Sequence, residues 1–258
     1  YFSETGQLWG HPLYRWEVLA KEGYDWWIER FRMALTQAYV VRIDHFRAFA
    51  SYWEIDAQEP TAIHGEWVSG PGHGLFERLR EVLGELPLVA EDLGHITSDV
   101  RDLKQQLGLP GMKVLQFGFD SEDSEHLPHN YSRDTVAYTG THDSDTTRGW
   151  YQTLKHRAES GDQAAGFQLG AVQRYLGTAE DAAVVPALVR ALSESRASTV
   201  ILPLQDVLDL DGQHRMNTPG TNSHNWTWRL QSDALPSELA DRLRDLAHTS
   251  GRLPDGWS

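Results

Sequence analysis

The sequence contains no cysteine, which excludes disulfides and thiolate metal sites and suits a reducing, cytoplasmic setting. Positive charge is also short, with 23 Lys and Arg against 37 Asp and Glu and a formal net charge of −14. That balance argues against nucleic acid and anionic membrane surfaces as partners. No apolar run approaches the ~18 residues of a membrane span. The first residues lack the charged-then-apolar pattern of a signal segment. HExxH and an Asp/Asn-rich calcium loop are missing too, which leaves His142, Asp145, His126 and His129 a weak case for a metal. The opening YFSETGQLWG has neither a methionine nor a helix or strand start, and reads as the middle of a longer protein.

Tryptophan, by contrast, is abundant. Ten occur, several of them in polar surroundings: Trp9, Trp53, Trp67, Trp150, Trp226 and Trp228. Flat rings flanked by hydrogen-bonding groups suit the faces of sugars, although aromatic rings also fill cores.

The order of apolar patterns sets the fold class. After a loop over 1–14, helical spacing predicts a helix at about 24–38, followed by a strand over Tyr39–Phe46 (YVVRIDHF). A long irregular stretch then leads to a helix at about 74–84, a strand over Leu86–Ala90 and a helix capped by Thr97 or Ser98 that runs to Leu107. Strands follow at Lys113–Phe117 and Thr135–Tyr138, then helices at about 145–157, 163–176 and 183–195. A strand at Thr199–Leu202, a second long loop and a helix at about 236–248 complete the chain. This is the rhythm of a parallel α/β sheet. About five strands are present, where a closed barrel needs eight, and that deficit agrees with the abrupt start.

Three carboxylates terminate three of these strands: Asp44, Glu91 and Asp143. Parallel strands place their carboxyl ends on one rim, where α/β folds bind ligands. In a strand, Arg42, Asp44 and Phe46 point to one face. Arg42 would then favour the ionised form of Asp44, as a nucleophile requires. Glu91 follows Leu88-Val89-Ala90 and precedes Asp92, so desolvation and like charge favour the protonated form that an acid/base requires. His142, beside Asp143, offers a hydrogen-bond donor to a sugar hydroxyl. Retaining glycoside cleavage uses one carboxylate as nucleophile and one carboxylic acid at the leaving oxygen. Taken singly, each pair fits a surface ion pair or a helix cap as well, and it is the three together that point to chemistry.

At these residues the chain resembles the 4-α-glucanotransferases of glycoside hydrolase family 77 (amylomaltases, or disproportionating enzymes). The resemblance rests on GQLWGHPLY (6–14), VRIDHFRAF (41–49), EPTAIHGEWVSGPG (59–72), LVAEDLG (88–94), GMKVLQFGF (111–119), YTGTHDSDTT (138–147) and RMNTPGT with NWTWR (215–229). It implies the carboxyl-terminal portion of a (β/α)8 TIM barrel with loop insertions, about five of eight strands present over 1–258 and the N-terminal strands missing. It further implies Asp44 as nucleophile, Glu91 as general acid/base and Asp143 as transition-state stabiliser, flanked by Arg42 and His142. Gln7 and Trp9 match positions near the acceptor sugar, and Asn225 and Trp226 a rim motif. The implied substrates are α-1,4-glucans and maltooligosaccharides as donor and acceptor, with no metal and no organic cofactor. The missing N-terminal half is a further implied partner. Three positions depart from the family: Ala48 where Gly is usual, and Ser144 and His11 where Asn is usual. Two other readings stay open on the sequence, an α-amylase-like hydrolase and a fragment that binds glucan without turnover.

Overall fold

The strand expected from Tyr39 begins only at Val41, since Tyr39 and Val40 are exposed and lie in a bend before it. The computed structural model describes residues 4–231, 235–254 and 256. The chain divides into two units, Tyr1–Met112 and Lys113–Ser258.

In the first unit, residues 6–15 form neither helix nor strand, and residues 1–3 of the expected opening loop lie outside the described residues. The elements that follow are α1 (Trp16–Lys21), α2 (Asp25–Gln37), β1 (Val41–Ile43), β2 (Ser51–Glu54), β3 (Glu66–Ser69), α3 (Gly72–Leu83), β4 (Leu88–Ala90), α4 (Ser98–Leu107) and β5 (Gly111–Val114), the last of which crosses the boundary. Helical spacing is what folds α2 and α3: Trp27, Ile28 and Phe31 are buried on one, Leu75, Phe76 and Leu79 on the other. β4 is buried at all three positions, as an inner parallel strand is. It pairs in parallel with β1 (Val41↔Leu88, Ile43↔Ala90) and with β5 (Ala90↔Gly111).

The expected strand over 39–46 ends at Ile43 because His45 takes up a left-handed conformation (φ 48°, ψ 50°). The chain then enters a 3-10 turn over Phe46–Phe49. Phe46 consequently does not share a strand face with Arg42 and Asp44. It is fully buried, with Phe49 and Phe76 at ring distances of 6.1 and 5.9 Å. The irregular stretch that follows hides an antiparallel hairpin of β2 and β3, in which Trp53 faces Trp67 with centroids 5.3 Å apart. A cross-strand aromatic pair of this kind stabilises two short strands that have little period-2 alternation to announce them.

The second unit contains β6 (Thr135–Tyr138), α5 (Thr147–Glu159), α6 (Gln163–Leu176), α7 (Asp181–Ser193), β7 (Thr199–Ile201), α8 (Leu204–Val207) and α9 (Leu239–Thr249). β6 and β7 run parallel with Val136 opposite Thr199 and Tyr138 opposite Ile201. Leu115–Phe117, expected as strand, is a 3-10 turn, and β5 ends before it. Thr146 caps α5, its hydroxyl accepting from Gly149 N at 3.0 Å, and Asp162 caps α6 by accepting from Ala165 N at 3.0 Å. This unit has its own core, built from Ala137 of β6, Tyr151 and Leu154 of α5, Val172 of α6, and Val184, Leu188 and Leu192 of α7. Among the described residues no helix is long and apolar enough to cross a membrane.

Candidate active site

The turn at His45 and the end of β4 bring the first two carboxylates together. The Ile43↔Ala90 register sets Asp44 and Glu91 just beyond the carboxyl ends of adjacent strands. Arg42 Nη2 lies 2.8 Å from Asp44 Oδ1, so the expected pair forms, while its Nε lies 3.1 Å from Met112 Sδ. The Asp44 side chain is 78% exposed. Glu91 is half-buried and held at both oxygens: Oε2 accepts from His45 N at 2.7 Å and Oε1 from Leu93 N at 2.9 Å. Main-chain bonds from Glu91 N to Ile43 O (2.9 Å) and from Phe46 N to Glu91 O (3.1 Å) continue the ladder across the turn.

Asp92 was expected to press its charge on Glu91, but the structure neutralises it. The buried carboxylate accepts from Lys104 Nζ at 2.5 Å and from Met112 N at 2.7 Å. Glycine is required beside this pair, since a Cβ on Gly111 would lie 2.5 Å from Asp92 Oδ2 and 2.6 Å from Lys104 Nζ. Gln7 and Trp9 form a group of their own in the same unit. The Trp9 indole donates to Gln7 Oε1 at 3.2 Å, its ring lies parallel to that of His11 with centroids 6.5 Å apart, and it is 60% exposed.

In the second unit β6 leads into a loop, Thr139–Thr146, that carries His142 and Asp143. Asp143 Oδ1 accepts from Asn217 Nδ2 at 2.6 Å, Oδ2 lies 3.4 Å from His142 Nε2, and the Asp143 carbonyl accepts from Arg215 Nη2 at 3.0 Å. Ser144 closes the loop: its hydroxyl accepts from Thr141 N at 3.1 Å, and its own N donates to Thr141 O at 3.1 Å. The serine thus supports the turn locally without the amide usual at that position. His142 and Trp226 meet with ring centroids 5.2 Å apart. Trp226 is left-handed (φ 60°), a conformation that costs a bulky residue ~1–2 kcal/mol. A main-chain bond from its N to Met216 O at 2.7 Å helps to hold it. Asn225 uses its amide within the loop, accepting from Thr218 N and donating to Thr221 O, both at 2.9 Å. It shapes the rim and leaves Trp226 as the exposed surface there. A cavity of about 200 Å³ opens between these groups, lined by Gly140, His142, Asp206, Arg215, Met216 and Trp226 among others.

Of the residues read from the sequence, the first unit gathers Arg42, Asp44 and Glu91, and the second gathers His142, Asp143 and Trp226. Sequence reasoning missed Asn217 and Arg215, which hold Asp143 side chain and backbone, although both lie in the quoted RMNTPGT motif. It also missed Gln116 and Asp206, buried behind the loop. Their only signal, a polar residue soon after an apolar run in KVLQF and VILPLQD, marks the position and not the partners.

A family model described as 4-alpha-glucanotransferase matches residues 1–235. The 4-alpha-glucanotransferase of Thermus thermophilus is 49% identical over 261 aligned residues, covering 98% of this chain and 50% of the relative. The chloroplastic/amyloplastic 4-alpha-glucanotransferase of Solanum tuberosum is 44% identical, with 98% and 43% covered. Among solved structures, the amylomaltase from Streptococcus agalactiae in complex with acarbose superimposes with a TM-score of 0.89 at 35% identity, over 98% of this chain and 50% of that one. The α/β fold is therefore that of a partial (β/α)8 barrel. The chain spans about half the length of the relatives it matches.

Proposed function

Because the chain belongs to glycoside hydrolase family 77, the 4-alpha-glucanotransferases, we propose that the protein it represents transfers α-1,4-glucan segments between maltooligosaccharides or starch glucans. The reaction is a double displacement with retention. Asp44 attacks the anomeric carbon of the donor while Glu91 gives a proton to the departing glycosidic oxygen. A glucosyl ester on Asp44 results, and the shortened glucan leaves. Glu91, now a base, takes the proton from the hydroxyl of an incoming sugar, which attacks the ester and receives the segment. Asp143, with His142 beside it, serves the sugar hydroxyls and the positive charge that develops on the ring.

One observation carries this reading: two carboxylates at the ends of adjacent parallel strands are held differently. Asp44 is exposed beside Arg42, open to a ligand, whereas Glu91 is fixed by two backbone N–H groups. Trp9 and Trp226 supply exposed rings for donor and acceptor sugars, and transfer prevails where such binding keeps water from the ester. The acarbose held by the Streptococcus agalactiae amylomaltase is consistent with oligosaccharide binding. The lack of cysteine suits the cytoplasm as its setting. The remaining half of the relatives' length is its natural partner in this reaction.

The test is incubation with maltotriose and separation of products by length, with the chain alone and with the other half joined to it. Glucose plus a ladder of longer maltooligosaccharides, absent in Asp44→Asn, is the expected result. Glucose and maltose without longer products would replace transfer by hydrolysis, and no turnover in the joined protein would sink both.

A further inference from the structure

Loop Thr139–Thr146 carries the proposed stabiliser, and two buried side chains from outside it fix its course. Asp206 of α8, 3% exposed, accepts three hydrogen bonds. Its Oδ2 accepts from the hydroxyls of Thr139 (2.5 Å) and Thr147 (2.8 Å), and its Oδ1 accepts from Thr147 N at 2.7 Å. Thr139 is the first residue after β6 and Thr147 is the first residue of α5. One carboxylate therefore ties both ends of the loop. Gln116, 9% exposed, ties the end of the loop that leads into α5, donating from Nε2 to Asp145 O at 3.0 Å and to Thr147 Oγ1 at 3.3 Å. The backbone packs closely against Gln116 and Asp145 here. A Cβ on Gly140 would lie 2.6 Å from Gln116 Nε2, and one on Gly149 2.5 Å from Asp145 Oδ1.

A carboxylate is costly to bury, and burial raises the affinity of Asp206 for its proton, with the three bonds opposing that shift. An apolar side chain would avoid that cost. What an apolar side chain lacks is the capacity to take three donors from two points of the chain at once.

The geometry points to Asp206 as a positioning residue of the transfer reaction: by clamping Thr139 and Thr147 it sets the loop that presents Asp143, while both its own oxygens are engaged with protein. This rests on the functional reading above, because the clamp matters to turnover only if Asp143 does. The clamp itself is a property of the fold and can be measured separately.

The experiment compares Asp206→Ala, Asp206→Asn and wild type in the protein joined to its other half. An Asn at 206 retains the clamp, since its carbonyl accepts from Thr147 N and its amide donates to the two hydroxyls. Amide exchange over 139–147 is expected to rise at least tenfold in the Ala variant and to return near wild type in the Asn variant, with α6 and α7 unchanged in both. In the maltotriose assay kcat is expected to fall at least tenfold in the Ala variant with KM within about threefold of wild type, and to recover in the Asn variant. Should Asp206→Ala not fold, Thr139→Val and Thr147→Val remove the hydroxyls at constant shape and are expected to show the same pattern in weaker form. Equal kcat in all variants, failure of Asn to rescue, or faster exchange spread evenly over the unit would each overturn the proposal. If the wild type transfers nothing, the functional reading fails, and the exchange measurement alone decides the clamp.

Discussion

Replacing Arg42 by Met probes the proposed nucleophile with little disturbance to the core. The guanidinium Nη2 lies 2.8 Å from Asp44 Oδ1, with the two side chains 32% and 78% exposed. A pair so open to water contributes ~0–1 kcal/mol to stability, since solvent screens it and both side chains lose entropy. In the proposed reaction its effect is larger, because the bond orients the carboxylate that would attack the sugar. A hydrogen bond to a charged group is worth ~1.5–3 kcal/mol. At ~1.4 kcal/mol per factor of ten, losing it in the transition state lowers kcat by about 10- to 150-fold. Lys at the same position keeps the charge and loses the planar fork, so Arg42→Lys is expected between Met and wild type. Initial rates of maltotriose disproportionation, measured in the protein joined to its other half beside a urea unfolding curve, provide both numbers. A kcat within twofold of wild type would refute the reasoning. So would a large loss of stability, which would make Arg42 a residue of the fold.

Three further outcomes follow from the geometry. Burial raises the pKa of Asp206 above its ordinary 3.8, so its contribution to stability is fully present below the unfolded value and is lost as pH rises through the folded one. The urea midpoint of Asp206→Asn relative to wild type should therefore climb as pH increases from about 4, and a flat difference would contradict the burial cost. Gly111→Ala drives a methyl into the Asp92–Lys104 pair and is expected to cost about 3 kcal/mol, as breaking a buried pair does, read as a lowered urea midpoint with unchanged slope. Thr146→Ala removes the cap of α5 and should cost about 1 kcal/mol, seen as a lower Tm, with a shift below the error of the scan counting against it.

The periodic elements were legible because one physical signal dominates each. Trp27, Ile28 and Phe31 announce α2, Val100, Leu103 and Leu107 announce α4, and Gly84 and Gly108 end α3 and α4 with positive φ. The sequence also led to Asp44, Glu91 and Asp143, through strand ends and through motif likeness. It overran β1, because nothing in Tyr39–Phe46 reveals that His45 would be left-handed, and it missed β2 and β3, whose pairing depends on Trp53 meeting Trp67 across an intervening polar loop. Asn217, Gln116 and Asp206 were illegible for a related reason. Their partners lie 74, 29 and 67 residues away, so only the folded chain shows what they hold.

His45 joins the two proposed catalytic groups through one short piece of backbone. Its N–H holds Glu91, the residue before it is Asp44, and the residue after it is anchored between Phe49 and Phe76. A sugar esterified to Asp44 would pull on the turn whose His45 N–H helps to hold Glu91. The proposed nucleophile and acid/base are thus joined through one turn of backbone. Changes at 44 and 91 should be non-additive in a double-mutant cycle, each sensing the loss of the other through a turn that neither side chain belongs to.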